Sequence, residues 1–226
     1  MNEIAADVFQ LPLGPRNAIN AYLVGDVLVD TGLKASAGRI LRALTGRAVK
    51  AIALTHAHGD HGGSACRLAA ELDLPVWVGA ADREAAETGK AVKKAPFDRP
   101  GISVLAGVLG DFPGVSVARD LREGDDLTAG FTVLDTPGHS PGHVSFWRER
   151  DRALICGDVL FNMHLLTTVE GLRQPPGPFS VDPQLNRASE RKLAALEPSV
   201  AGFGHGPVLA DGAAAKLARF VATLPA

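Results

Sequence analysis

Within six consecutive positions, HAHGDH (56–61), the chain places His56, His58, Asp60 and His61, which include three of its seven histidines. Imidazole and carboxylate are the side chains that ligate divalent ions such as zinc and iron. On an extended segment side chains alternate, so His56 and His58 point to the same side and can share one ion. Asp60 and His61 come one short turn later, within reach of a second ion. Three more residues of ligating type lie far away in sequence. His139 follows LDTPG, Asp158 follows LICG, and His205 sits inside GFGHGP. Small residues surround each of them, which leaves the backbone room to turn and the side chain room to approach an ion. His56, His58 and His139 would form a three-histidine set with its fourth position open to water, the pattern of a catalytic rather than a structural zinc. Asp60, His61 and His205 would form a second set. Asp158 has two carboxylate oxygens and can bridge two ions about 3.5–4 Å apart.

These residues need elements that bring them to one place. ADVFQLPL, NAINAYLVG and DVLVDTG are short β-prone runs separated by turn residues, and they predict three antiparallel strands. LKASAGRILRALTG has apolar residues at helical spacing and a glycine stop. The apolar run over 49–54 predicts a strand that delivers the histidine cluster into a loop. SACRLAAELDL predicts a helix capped by Ser64, followed by the strand PVWVG and a helix over about 80–88. Residues 89–114 show no clear period and are expected to be a surface insertion carrying at most a short helix. VSVARDL, FTVLDTPGH, HVSFWRE and RALICGD read as four further strands of a second half. The segment 162–182, rich in Pro and Gly, reads as a loop. A helix over about 183–196, a strand at 199–203 and a helix over about 212–222 complete the pattern. Strands and helices in both halves imply an α+β fold of two sheets packed face to face with helices outside. No linker of disordered composition separates the halves, so 1–226 is expected to be a single domain.

Composition narrows the partners. Apolar residues make up 46% of the chain, and 23 basic and 25 acidic side chains are interspersed to a net charge of -2. Without a basic stripe, nucleic acid is not expected as a partner, and without a long apolar run neither is a membrane. The N-terminus has no basic start followed by an apolar stretch, and Cys66 and Cys156 are too few for a disulfide framework. A cytoplasmic protein acting on a small molecule is the expectation. Exposed edge strands and the apolar insertion leave room for a homodimer.

THAHGDH, TPGHSPGH, ICGD and GFGHG, together with LVDTG, stand in the order of the metallo-β-lactamase superfamily. The chain resembles its glyoxalase II-like branch over about residues 17 to 206, with all seven ligand positions of the dinuclear pattern matched. The resemblance implies a four-layer αββα sandwich with the ions at one edge of the sheets. It also implies that Asp30 stands behind the ligands and orients a ligand histidine. His143 has two readings: a locally satisfied histidine at a strand start, or support for the ligands. The implied chemistry is hydrolysis. Two divalent ions, expected to be zinc although iron or manganese also suit the ligands, lower the pKa of a bridging water. The resulting hydroxide attacks an ester, thioester or lactone carbonyl. Asp60 orients it and carries a proton to the leaving group.

Departures from neighbouring branches narrow the reading. Enzymes that open β-lactams typically carry Cys or Ser at the position of Asp158. Homoserine lactonases have a tyrosine where this chain has Phe161, which cannot donate a hydrogen bond. Glyoxalase II proper adds a helical C-terminal extension, whereas this chain ends 21 residues after His205. Persulfide dioxygenases, the alternative from a different chemistry, hold a single iron through two histidines and the aspartate and oxidise sulfur. A metal-free binding protein on this fold would have lost ligands, and none is lost here. Phe161, Asn162, His164 and Arg173, which lie beyond Asp158, are candidate substrate contacts. Phe97, Phe161, Leu165, Leu166 and Phe179 make the flanking segments apolar and point to a hydrophobic acyl group. Cys66 and Cys156 are expected to be buried and inert.

Overall fold

Most strands of this chain are apolar on both faces, so each sheet needs cover on both sides. The computed structural model describes residues 1–92 and 111–225 and supplies that cover in four layers. The first sheet runs in chain order: β1 (Asn2–Ala5), β2 (Val8–Pro12), β3 (Asn20–Val24), β4 (Val27–Val29), β5 (Ala51–Leu54), β6 (Val76–Gly79) and β7 (Val117–Leu121). Neighbours are antiparallel up to β4 and parallel from β4 to β7. The second sheet contains β8 (Thr132–Asp135), β9 (Val144–Arg148) and β10 (Ala153–Ile155). After a separate hairpin of β11 (Phe161–Met163) and β12 (Glu170–Arg173), β13 (Val200–Gly202) joins β10 in parallel. The helices are α1 (Ala37–Ala43), α2 (Ala65–Leu72), α3 (Arg83–Thr88), α4 (Pro183–Ala195) and α5 (Ala213–Ala222).

The period-two alternation distributes side chains among three apolar clusters. Leu23, Leu28, Ile52 and Leu54 pack against Ile40 of α1 and Leu68 of α2. Their strand neighbours Tyr22, Val29 and Ala53 face Phe146 and Ile155 of the second sheet. On its other side that sheet offers Trp147 and Leu154 to Leu193 of α4 and Leu217 of α5. The result is the αββα sandwich expected from the sequence.

Several local expectations change. β1 is a strand where none was expected, an edge strand with exposed Asn2 and Glu3. VSVARDL does not belong to the second half's sheet: as β7 it extends the first sheet beside β6. The segment 162–182 is not a plain loop, since it carries most of the β11–β12 hairpin and a 3-10 turn at Gly177–Phe179. Ser64 stands at the N-cap position of α2 but does not cap it. Its hydroxyl donates to Leu33 O at 2.6 Å and so ties the helix start to the preceding loop. Most of the segment 89–114, with Phe97, lies outside the described residues. Among the described residues no helix is long and apolar enough to cross a membrane.

One edge of the sandwich collects the strand ends that matter. Asp30 follows β4, His56 to His61 follow β5, Asp82 follows β6, His139 follows β8, Asp158 follows β10 and His205 follows β13.

Candidate metal centre

The edge brings all seven expected ligands together, and all are buried. His58 Nδ1 lies 3.0 Å from His56 Nε2 and 3.1 Å from His139 Nε2. Nitrogens bound at about 2.0–2.1 Å around a tetrahedral ion are about 3.3 Å apart, so this spacing suits one shared cation. Asp60 Oδ2 lies 3.3 Å from His205 Nε2 in the neighbouring set, which His61 completes. Between the sets, Asp158 Oδ2 is 3.2 Å from His205 Nε2, 3.3 Å from His61 Nε2, 3.6 Å from His139 Nε2 and 4.0 Å from His56 Nε2. Among the described residues, His61 Nε2 and Asp158 Oδ1 are buried with no hydrogen-bond partner. Such groups are costly unless something else satisfies them, and a divalent cation does so. The residues present therefore fit a metal.

The ring orientations follow from anchors behind the rings. Asp30 accepts from Thr55 N–H at 2.8 Å and from the Thr55 hydroxyl, whose oxygen is then free to accept from His56 Nδ1 at 3.1 Å. Asp30 Oδ2, the oxygen that takes the Thr55 hydroxyl, also accepts from His61 Nδ1 at 2.8 Å. His205 Nδ1 donates to Ala18 O at 2.5 Å, and His139 Nδ1 donates to Ser180 Oγ at 3.4 Å. Each of these four rings thus presents Nε2 to the centre. His143 is satisfied locally and also supports the centre. Its Nδ1 donates to Thr136 Oγ1 at 2.9 Å, while Nε2 accepts the Asp158 backbone N–H at 3.0 Å. Burial holds its imidazole neutral, down to about 3, as an acceptor must be.

The two sets differ in electrostatics. Burial lowers His56, His58 and His139, and repulsion from the charged His61 adds to the effect in each, while Asp60 partly opposes it at His58. Burial also opposes the charge on His61 and His205, but Asp158, Asp60 and Asp30 outweigh it. His61 is raised well above the usual range and His205 to about 10. Both imidazoles therefore carry a proton near neutral pH until a cation replaces it, because a ligating nitrogen must be deprotonated. Metal uptake by the Asp60 set should release roughly two imidazole protons, and uptake by the three-histidine set none, apart from any proton lost by bound water. Affinity of the Asp60 set should accordingly fall as the pH falls from about 9 to 6, since His205 becomes fully protonated below its value of about 10. Calorimetric Zn²⁺ titration in buffers of different ionisation enthalpy measures this, and equal proton release at both sets would contradict it.

The candidate substrate contacts separate into different places. Phe161 faces the centre edge-on, its ring 4.5 Å from that of His205 and 6.5 Å from that of His139. Arg173 is its cross-strand partner and is exposed. Asn162, one residue on, turns away by the alternation of a strand. Its amide donates to Pro207 O and lines a separate cavity of about 450 Å³ against α5. His164 lies in the turn of the hairpin, where Nδ1 accepts from Thr167 N–H. Cys156 is buried, and burial pushes its thiol beyond the titratable range, whereas Cys66 is only half-buried. Asp82 was not foreseen. In sequence it looks like the N-cap of α3, yet its side chain makes no cap bond and turns to the metal edge instead.

An αββα sandwich with a buried His/Asp centre at one edge defines a class of metal-dependent hydrolases. The family model described as "Metallo-beta-lactamase superfamily" matches residues 14–205, and the chain belongs to that superfamily. A Bacillus subtilis protein described as "Probable metallo-hydrolase YflN" is 31% identical over 205 residues, covering 80% of this chain and 75% of the relative. A hydroxyacylglutathione hydrolase of Methylococcus capsulatus is 37% identical over 142 residues, covering 61% of this chain and 44% of that enzyme. Among solved structures, TTHA1623 in a di-iron-bound form superimposes with a TM-score of 0.67 at 35% identity, over 92% of this chain and 98% of that one. The B3 metallo-β-lactamase BLEG-1 does so with a TM-score of 0.66 at 31% identity, over 89% and 93%.

Proposed function

We propose that this hydrolase cleaves the ester, thioester or lactone carbonyl of a small molecule at a centre of two divalent ions. The observation that carries the reading is the position of Asp158 Oδ2, within 4.0 Å of Nε2 of four histidines drawn from both sets. His56, His58 and His139 would hold one ion, Asp60, His61 and His205 the other, and Asp158 would bridge them. Two such ions supply Lewis acidity and a hydroxide near neutral pH.

The chain's own residues supply the rest. His61 and His205 keep the Asp60 carboxylate ionised against the cost of its burial, so it can accept a proton and pass it to the leaving group. Phe161 gives the centre an apolar wall that excludes water and offers no donor to the substrate. Arg16 donates to Thr168 Oγ1 at 3.0 Å and so fixes the hairpin turn to the 15–17 turn, next to the Ala18 carbonyl that holds His205. Leu166, 79% exposed, and Val169, 57% exposed, leave that turn apolar towards solvent. This favours a hydrophobic acyl group on the substrate.

Protein purified without added metal, analysed by mass spectrometry and again after reconstitution, should hold two ions per chain. It should then cleave long acyl thioesters faster than short hydrophilic ones, and both faster than β-lactams, the substrates named for BLEG-1's class. A single tightly held ion with no second uptake, or β-lactams as the best substrates, would overturn the reading.

A further inference from the structure

His58 stands apart from the other ligand candidates. His56, His61, His139 and His205 each present Nε2 and are anchored through Nδ1. His58 instead presents Nδ1 to His56 and His139, so the nitrogen nearest its own backbone cannot carry an anchor. Its position therefore depends on where the backbone on either side of it is held.

Asp82 holds that backbone. It lies at the end of the 3-10 turn Ala80–Asp82 after β6 and is 1% exposed. Its Oδ2 accepts from the N–H of Ala57, the residue between His56 and His58, at 3.0 Å. The same oxygen accepts from the hydroxyl of Ser140, immediately after His139, at 2.6 Å. Its Oδ1 accepts from Gly142 N–H, immediately before His143, at 2.7 Å. The turn is seated directly on this loop: a methyl group on Gly142 would lie 2.9 Å from the backbone of Ala81 and on top of Asp82 N, and one on Gly79 would overlap Gly142 O. One carboxylate thus connects the segment carrying His58 to the loop carrying His139, segments more than eighty residues apart in sequence and contributed by different sheets.

We propose that Asp82 is a positioning residue that sets the spacing of His58 against His139 and thereby the metal affinity of the three-histidine set, as Asp30 orients His61 in the other. The inference rests on the two-set metal reading above. Replacing the carboxylate by an amide leaves one acceptor oxygen and puts an N–H against donors, so at least one of the three bonds is lost in either orientation.

The test is Co²⁺ titration of the metal-free protein by calorimetry and by its visible spectrum, with Asp60→Asn used to assign the step that belongs to the Asp60 set. Asp82→Asn should weaken Co²⁺ binding at the three-histidine set by about 10–100-fold while the other step shifts by less than about 3-fold. Asp30→Asn, which loses a direct bond to His61 and reaches His56 only through Thr55, should weaken the Asp60 set more than the three-histidine set. Ser140→Ala removes only one of the three bonds and leaves the backbone anchor of His58 intact, so it should give a smaller loss at the same set. If Asp82→Asn does not fold, Ser140→Ala carries the test alone. Unchanged affinity at the three-histidine set, or equal losses at both sets in step with a fall in melting temperature, would overturn the inference. Wild-type protein that shows no two-step uptake would instead overturn the metal reading itself.

Discussion

Asp158→Asn should lower turnover by at least about 10³-fold, equivalent to about 4 kcal/mol, and reduce the metal content of both sets. The carboxylate oxygen closest to the four histidines is 3.2 Å from His205 Nε2 and 3.3 Å from His61 Nε2. An amide NH₂ in that place would donate into the lone pairs that ligate. Turned the other way, it would set its N–H groups where the partnerless Oδ1 is buried. Neither orientation restores the negative charge that would face a cation in either set. The backbone bond from Asp158 N–H to His143 Nε2 does not involve the side chain and persists. The variant should therefore fold, with near-ultraviolet circular dichroism like the parent's, while metal analysis shows the loss. Full stoichiometry with an unchanged rate would show that Asp158 does not bridge.

Gly204→Ala should abolish most metal binding with the smallest change in chemistry that the centre permits. A methyl group there would overlap Asp158 Oδ1 and come within 2.6 Å of His61 Cε1. The backbone has no room to retreat, because Gly204 N–H donates to Gly157 O at 3.0 Å and Gly204 O accepts from Asn20 N–H at 2.9 Å. Gly204 is not among the positive-φ residues, so alanine meets no backbone strain and the effect is steric alone. Overpacking of this kind costs typically 1–3 kcal/mol in stability, here concentrated on Asp158 and His61. Thermal melts of the metal-free variant should show that modest cost, and Zn²⁺ titration should show loss of the ligand geometry. A variant that takes up metal normally would mean that the edge can open to admit the methyl.

The seven candidate ligands that the fold gathers at one edge were legible because metal chemistry restricts residue type tightly and His-x-His on an extended segment fixes direction. Short β-prone runs bounded by turn residues made most strands of the two sheets legible as well. What stayed hidden was set by partners distant in sequence. β11 and β12 have three and four residues, too short for alternation to show among prolines and glycines, and β12 carries a register shift opposite Phe161 and Met163. The membership of β7 depends on a parallel partner reached across α3, which no local pattern encodes. Asn162 beside Phe161 looked equally placed for substrate until the strand's alternation turned it towards Pro207. Asp82 and Ser64 share one lesson. Both occupy N-cap positions, where short polar side chains ordinarily serve their own helix. Here both serve a neighbouring loop, and only the packing of that loop reveals it.

The ligands are also spread unevenly along the order in which a ribosome delivers them. His56, His58, Asp60 and His61 come early, His139 and Asp158 later, and His205 comes just after β13, the last strand in the chain. A growing chain that lacks β13 has the three-histidine set in hand but only two of the three donors of the other. The Asp60 set is therefore complete only where β13 lies beside β10 and carries His205 to the edge. Because His205 is also held by the Ala18 carbonyl between β2 and β3, this one donor depends on both sheets being in place.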